Sequence, residues 1–433
     1  MKKLFYCICC LLLTISCSDN DSIEDIKSLT ESPQSQIRSY DEALQIAMES
    51  IGILNRHSNQ TRDAKASRKI DLEDGVYYIV NHSTRTATGN DTLMYVFNFE
   101  NNSGFSIVSA NPATEGLLAV IESGHYDPSK REDDSGFYLF LDMAKEYVKR
   151  ATRDHIIPNP DNPPINNHPH RLVYINTTDS INPLIDLNWG QRGIYGQYCP
   201  NGTAGCVNTA MAMIIAYFEQ PTSLCLTYDN HDISSQLFDW DNIKQHKKGD
   251  LAENTSISHI CAISNNDSIH NAIGRLMRQL GELNESNYDP ISNKTGTQFS
   301  NAVATFQSLS YDTQHLHWSH EYVPGETHGI SPNSIIMFGG VRYDHLGNPH
   351  GHAWIADGYK YSKTITYEEE TINNGVTWNE VPGTRETTEI LLDHLNWGHD
   401  GVNNGYFLDG VFAETDTTDY SHEVNYMAIS PIE

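Results

Sequence analysis

Val207, Ala210, Met211, Ile214, Ile215 and Phe218 fall at three- and four-residue steps. That is the repeat of one helix face, and Pro221 forbids its continuation, so a helix is expected over 206–219. The same repeat in Ile269, Ala272, Ile273, Leu276 and Leu280 predicts a helix over 269–280, and apolar periodicity predicts two more, over 40–54 and 139–148. Strand-like runs stand at 76–80, 93–99 and 105–108, followed by an apolar stretch at 116–121. A later series of strands is expected at 335–341, 352–359, 364–369, 387–396, 405–408 and 424–429. Helices first and strands later imply an α+β arrangement with an antiparallel sheet.

Between these regions, residues 154–170 carry five prolines and several asparagines. Such a composition holds neither a helix nor a central strand and reads as an exposed connector open to proteases, or else as an ordered surface loop inside one domain. No internal repeat or low-complexity tract points to a solenoid.

Composition narrows the setting. The chain has 433 residues, enough for two domains or more, and its 28 Lys plus Arg against 56 Asp plus Glu give a formal charge of −28. That balance disfavours nucleic acid or an anionic membrane surface as a partner. At the N-terminus, Met1-Lys2-Lys3 precedes an apolar stretch over 4–15 that is too short for a stable bilayer span, which reads as an export signal. Leu13-Thr14-Ile15-Ser16-Cys17 also resembles a bacterial lipobox, which would make Cys17 a lipidated first residue and the protein an outer-membrane or cell-surface lipoprotein. A plain secretory signal is the alternative. Of eight cysteines, Cys199, Cys206, Cys225 and Cys261 lie beyond the signal, too few for a stapled scaffold and without the paired spacing of a structural zinc site. A bridge between Cys225 and Cys261 would be local reinforcement only.

Four segments carry candidate chemistry. Gly205-Cys206 delivers a thiol from a glycine turn onto the first turn of the 206–219 helix, where unpaired N–H groups and the helix dipole favour a thiolate. Taken alone, Cys206 is better explained as a small buried hydrophobe, so partners elsewhere must decide. Alternation over 351–359 puts His352, Trp354 and Ala356 on one face, with His352 at the strand mouth, where a base can enter a cleft. Asp344, His345, His350 and His352 also admit a metal reading, but their spacing fits no familiar site. In Asn396-Trp397-Gly398, a side-chain amide can orient a histidine ring and an indole can shield that bond. In the segment around Gln191, an amide N–H can join the backbone N–H of Cys206 in holding an oxyanion.

In this order, Gln191, Cys206, His352, Asn396 and Trp397 resemble the streptopain family of papain-like cysteine peptidases, over about 184 to the C-terminus. Residues 103–110, Ser-Gly-Phe-Ser-Ile-Val-Ser-Ala, look like the streptopain propeptide and its related inhibitor domain. The resemblance implies a papain-like two-part fold, with helices on the N-terminal side carrying the cysteine and an antiparallel sheet carrying the histidine, preceded by a separate α+β prodomain. It implies a signal peptide over 1–17, an inhibitory prodomain over 18–152, a linker with the maturation cut over 153–180 and a peptidase domain over 181–433. Cys206 becomes the nucleophile, His352 the general acid/base, Gln191 the oxyanion donor, and Asn396 with Trp397 the support of His352. Protein or peptide substrates and the chain's own prodomain are the implied partners, with no metal or organic cofactor. Departures stand at 194–196, at Asn208, where a small apolar residue is usual, and at His399-Asp400, where tryptophan and glycine are expected. Residues 361–389 read as an inserted hairpin turning at Asn373-Asn374-Gly375. Transfer of the acyl group to an amine is a competing chemistry, and a catalytically inactive binding or protease-inhibitor protein is a competing class.

Overall fold

The computed structural model describes residues 37–55, 68–80, 92–130, 135–154, 170–224, 236–247, 267–317, 329–343, 349–371, 377–412 and 422–432. The N-terminal signal, Cys17, Cys225, Cys261, Asp344, His345 and the turn at 373–375 lie outside them. The first region comprises α1 (Tyr40–Asn55), β1 (Val76–Val80), β2 (Thr92–Asn98), β3 (Phe105–Ser109), β4 (Leu117–Ile121) and α2 (Gly136–Asp154). There follow β5 (His170–Ile181), α3 (Cys206–Phe218), β6 (Ser223–Leu224), β7 (Gln236–Leu237), α4 (Trp240–Ile243), α5 (Asp267–Leu283), β8 (Asn287–Tyr288), β9 (Thr295–Gly296) and α6 (Phe299–Ser308). The chain ends in β10 (Tyr311–His317), β11 (Ile335–Tyr343), β12 (Pro349–Thr371), β13 (Trp378–Glu380), β14 (Glu386–Asn396), β15 (Gly405–Leu408) and β16 (His422–Pro431).

Helices and strands occupy the expected segments, with ends shifted by a few residues. The start of α1 is fixed by a reciprocal cap in which Glu42 N donates to Ser39 Oγ (3.3 Å) and Ser39 N donates to the Glu42 carboxylate (2.8 Å). The two strands expected at 352–359 and 364–369 are one long strand, β12. It pairs antiparallel with β14 as far as Thr366↔Glu386, and β13 folds back on its end, so the expected hairpin at 361–389 continues the sheet outward.

One expected boundary needs correcting. Residues 170–180, placed in the linker, belong to β5, which runs antiparallel to β12 from Tyr359↔Ile181 to Glu370↔His170. Prolines stop at Pro169, and Val173, Ile175, Thr177 and Thr178 are strand formers that outweigh the connector character of the preceding stretch. The prodomain-like region is α+β, as expected, and its strands add to the same sheet. Its order β1-β2-β3-β4 continues through the β4–β15 pairing into β14-β12-β11-β16-β10, giving one antiparallel sheet.

Strand alternation divides the sheet's two faces. Ile335, Met337, Ala353 and Ile355 point to a core built with α3, α5 and α6. Ile336, Phe338, Trp354 and Ala356 point to the other core, which contains Phe137, Leu139, Phe140 and Ala144 of α2 together with Met94, Val96 and Ile107 of the first region. Helix α2 is therefore shared: Phe140 packs edge-on against Phe407 (4.8 Å between centroids) and tilted against Phe412 (5.6 Å). Helix α1 closes the remaining face of β2 and β3 through Ala43 and Ala47 against Tyr95, Phe97 and Val108.

Candidate active site

The Cys206 position is built by close backbone approach. Gly205 precedes α3 with φ of +92°, and a Cβ there would fall 3.0 Å from Thr295 Cγ2, so both conformation and space favour glycine. Cys206 is the first helical residue and is half-buried, while 207–216 behind it are buried. Its backbone N–H lies at the positive end of the α3 dipole. Ala204 N donates to the Gln191 carbonyl (2.8 Å), and Thr209 Oγ1 donates to the Gly190 carbonyl (3.1 Å), so the Gln191 segment lies alongside the cysteine turn. On the other flank, Thr295 Oγ1 of β9 donates to the Thr203 carbonyl (2.7 Å) and Asn201 Nδ2 donates to the Lys294 carbonyl (2.9 Å). The β8–β9 hairpin thus also lies against the turn.

Asn208, which departs from the usual small residue, is fully buried. Its amide donates to the Ala204 carbonyl (2.8 Å) and to Ser286 Oγ (3.1 Å), and it accepts from Asn284 Nδ2 (2.7 Å). A buried amide is tolerated here because its polar atoms are partnered.

His352 is buried on the face of Trp354 and α2, and its Nε2–H donates to the Trp397 carbonyl (2.8 Å). The backbone of Gly136, where α2 begins, lies against this ring: a Cβ at 136 would fall 2.4 Å from His352 Cδ2 and 2.4 Å from Trp397 Cε3. The Trp397 indole sits 6.4 Å from the imidazole, centroid to centroid, and donates from Nε1 to the Asn403 carbonyl (2.9 Å). Asn396 uses its side chain elsewhere, donating to the Leu187 carbonyl (2.8 Å) and accepting from Gly398 N (3.1 Å). The carbonyl next to Asn396 thus helps to hold His352, and Asn396 ties the histidine sheet to the segment leading to Gln191.

Burial pushes the Cys199 thiol up to about 11, partly offset by a hydrogen bond with Tyr288, so this second cysteine stays protonated at neutral pH. Among the described residues, no group of three or more His, Cys, Asp or Glu side chains is arranged to hold a metal ion.

The profile of the Peptidase C10 family matches residues 189–407, half of the chain, a range that includes Gln191, Cys206, His352, Asn396 and Trp397. The chain belongs to the Peptidase C10 family. The profile described as Spi protease inhibitor matches residues 28–148, so α1, β1 to β4 and most of α2 form an inhibitor region ahead of the C10 region. A thiol protease/hemagglutinin, PrtT of Porphyromonas gingivalis, is 20% identical over 336 residues, 75% of this chain and 34% of that protein. The chain thus spans about a third of that relative's length. Among solved structures, a prointerpain A fragment of Prevotella intermedia is 18% identical, covering 81% of this chain and 98% of its own, with a TM-score of 0.47. Active interpain A of the same organism is 20% identical, covering 57% and 94%, with a TM-score of 0.36.

The C10 region also contains a buried charged pair that sequence reasoning passed over. His394 Nδ1 donates to Asp357 Oδ1 (2.6 Å), and Glu122 Oε1 of the inhibitor region lies 3.6 Å from His394 Nε2. Burial alone would depress this imidazole, but the Asp357 and Glu122 carboxylates outweigh it and hold it up at about 10. His394 stands only two residues before Asn396, yet its partner is 37 residues away, and no local pattern reports such a pairing. The ordinary value is 6.5 and the folded one about 10, so the stabilisation from this charge is complete below pH 6.5 and is lost as pH rises through about 10. Thermal unfolding of the full chain is expected to show a midpoint that declines between pH 7 and 10 and a shallower decline in His394→Gln. Equal slopes would contradict a charged His394.

Proposed function

We propose that this protein is an exported cysteine endopeptidase made as a zymogen, with Cys206 as nucleophile and His352 as general acid/base. The observation that carries the reading is the convergence at one helix start: Cys206 follows a positive-φ glycine, and the Gln191 backbone is bonded to Ala204 two residues before it. The thiolate attacks a scissile carbonyl, and the Cys206 N–H and the Gln191 carboxamide receive the oxyanion. His352 gives its proton to the leaving amine, the acyl group remains as a thioester on Cys206, and His352 then takes a proton from the water that hydrolyses it. Asn396 and Trp397 support the histidine in the released enzyme, Trp397 through its carbonyl and its ring.

In the full chain the inhibitor region acts as an intramolecular cover. Gly136 abuts the imidazole, and Phe137 and Phe140 bury their rings in the same core as Trp354 and Trp397. Proteolysis between α2 and β5 would free it, leaving β5 on the peptidase sheet. The basic start, the apolar stretch over 4–15 and Cys17 support export, with a lipid on Cys17 as the anchor.

The test is to incubate the purified full chain with a reductant, sequence the new N-terminus and follow casein hydrolysis. The reading predicts a cut between about Arg150 and His170 followed by hydrolysis. Silence in both assays favours the inactive binding protein instead.

A further inference from the structure

Strands β12 and β14 do not run evenly beside each other. Their register is Ile355↔Asn396 and Ala356↔Leu395, then Gly358↔His394, which leaves Asp357 as the extra residue of a bulge. A bulge takes one residue out of the ladder and bends its strand. Asp357 makes three hydrogen bonds from this position: its backbone carbonyl accepts from Leu184 N (3.0 Å), its Oδ2 accepts from Ile185 N (2.8 Å) and its Oδ1 accepts from His394 Nδ1 (2.6 Å). Both side chains are buried, Asp357 completely and His394 to within 4%.

These contacts join the three segments that carry the site. His352 lies five residues before Asp357 on the same strand, Asn396 two residues after His394, and Leu184–Ile185 open the segment that continues to Trp189 and Gln191. The hydrogen bond from His352 to the Trp397 carbonyl and the bond from Asn396 to the Leu187 carbonyl both depend on the register of β12 against β14. A slip of one residue moves a strand by about 3.3 Å and exchanges its faces, whereas a misplacement of about 1 Å can cost on the order of a hundredfold in rate. Pure stabilisation does not call for such a pair, since apolar residues of similar volume serve as well or better in a core.

We propose that Asp357 and His394 are positioning residues for the Cys206–His352 reaction, their buried contact locking the bulge and the 184–191 segment in the register that catalysis needs. This inference rests on the peptidase reading. Around His394, the inhibitor region contributes Glu122, and β15 contributes Tyr406, whose ring stands edge-on at 5.2 Å with Lys360 Nζ over it at 5.2 Å. Release of the inhibitor region takes Glu122 away, so Asp357 is the partner that persists in the mature enzyme.

Asp357→Asn and His394→Gln are made in the full chain and matured with added wild-type processed protein, which is then removed, and active sites are counted with a peptidyl epoxide. The carboxamide of Asp357→Asn brings an NH₂ donor into a site where Ile185 N and His394 Nδ1 both need acceptors, while the carboxamide of His394→Gln keeps a donor for Asp357. Per titrated site, Asp357→Asn is expected to lose about tenfold or more in kcat with KM within about threefold, and the acid limb of its kcat/KM profile is expected to move. His394→Gln is expected to retain kcat within about threefold and an unmoved acid limb. Wild-type kcat and an unmoved acid limb in titrated Asp357→Asn, even with a lower Tm, would overturn the inference. If Asp357→Asn does not fold, His394→Leu against His394→Gln decides it: a low kcat for the leucine variant alone supports positioning, and equal values refute it. A wild-type protein that neither hydrolyses casein nor takes the epoxide would instead remove the peptidase reading and this inference with it.

Discussion

Full-length Cys206→Ala is expected to remain an intact chain under conditions in which the wild type processes itself, and to show no casein hydrolysis above background after nicking by another protease. Among the described residues the other cysteine does not replace the lost sulfur: Cys199 is buried with its thiol held protonated, and an alanine side chain forms no thioester. Removing a nucleophile that acts together with its base typically leaves only oxyanion and binding contributions, so the loss in kcat/KM is expected to be at least about 10⁴-fold. Alanine is a good helix former and position 206 is half-buried, so the change in stability is expected to stay within about 1 kcal/mol. Casein assays on the nicked variant, with unfolding curves beside them, separate loss of chemistry from loss of fold. Retained hydrolysis would remove Cys206 from the reaction.

Gly136→Leu is expected to act in the opposite direction and to open the zymogen. In the closed chain there is no space for a side chain at 136, because even a Cβ would meet His352 and Trp397 at 2.4 Å, closer than real Cβ atoms approach their neighbours. Position 136 is the first residue of α2, so the backbone accepts leucine and the conflict is confined to the cover. Overpacking typically costs about 1–3 kcal/mol, which favours the uncovered state by roughly 5- to 150-fold. Purified full-length Gly136→Leu with unchanged circular dichroism is expected to process itself, and to take an epoxide before cleavage, at least about fivefold faster than wild type. An unchanged or slower rate would mean that the α2 start does not restrain His352.

What was legible in the sequence was local. Six apolar residues at helical spacing placed α3 and hence Cys206 at a helix start, and the alternation through His352, Trp354 and Ala356 gave the correct shared face. The features that were not legible depend on contacts distant along the chain. Backbone pairing of β4 with β15 leaves no side-chain signature, so one continuous sheet looked like two regions. Strand β5 was hidden by the prolines just ahead of it. Gly136 reads as an ordinary loop glycine until His352 and Trp397 are brought against it, more than 200 residues away in sequence. The amide of Asn396 pairs with Leu187, a carbonyl that no spacing rule singles out.

The central claim is that Cys206 is the reactive thiol, and locating a covalent label tests it most directly. Processed protein treated with a peptidyl epoxide at pH 6 and digested for mass spectrometry is expected to carry about one label per chain. That label should sit on the peptide containing Cys206, with Cys199 unmodified and labelling lost in His352→Ala. Protein that hydrolyses casein while Cys206 stays unlabelled, or that carries the label on Cys199, would contradict the account.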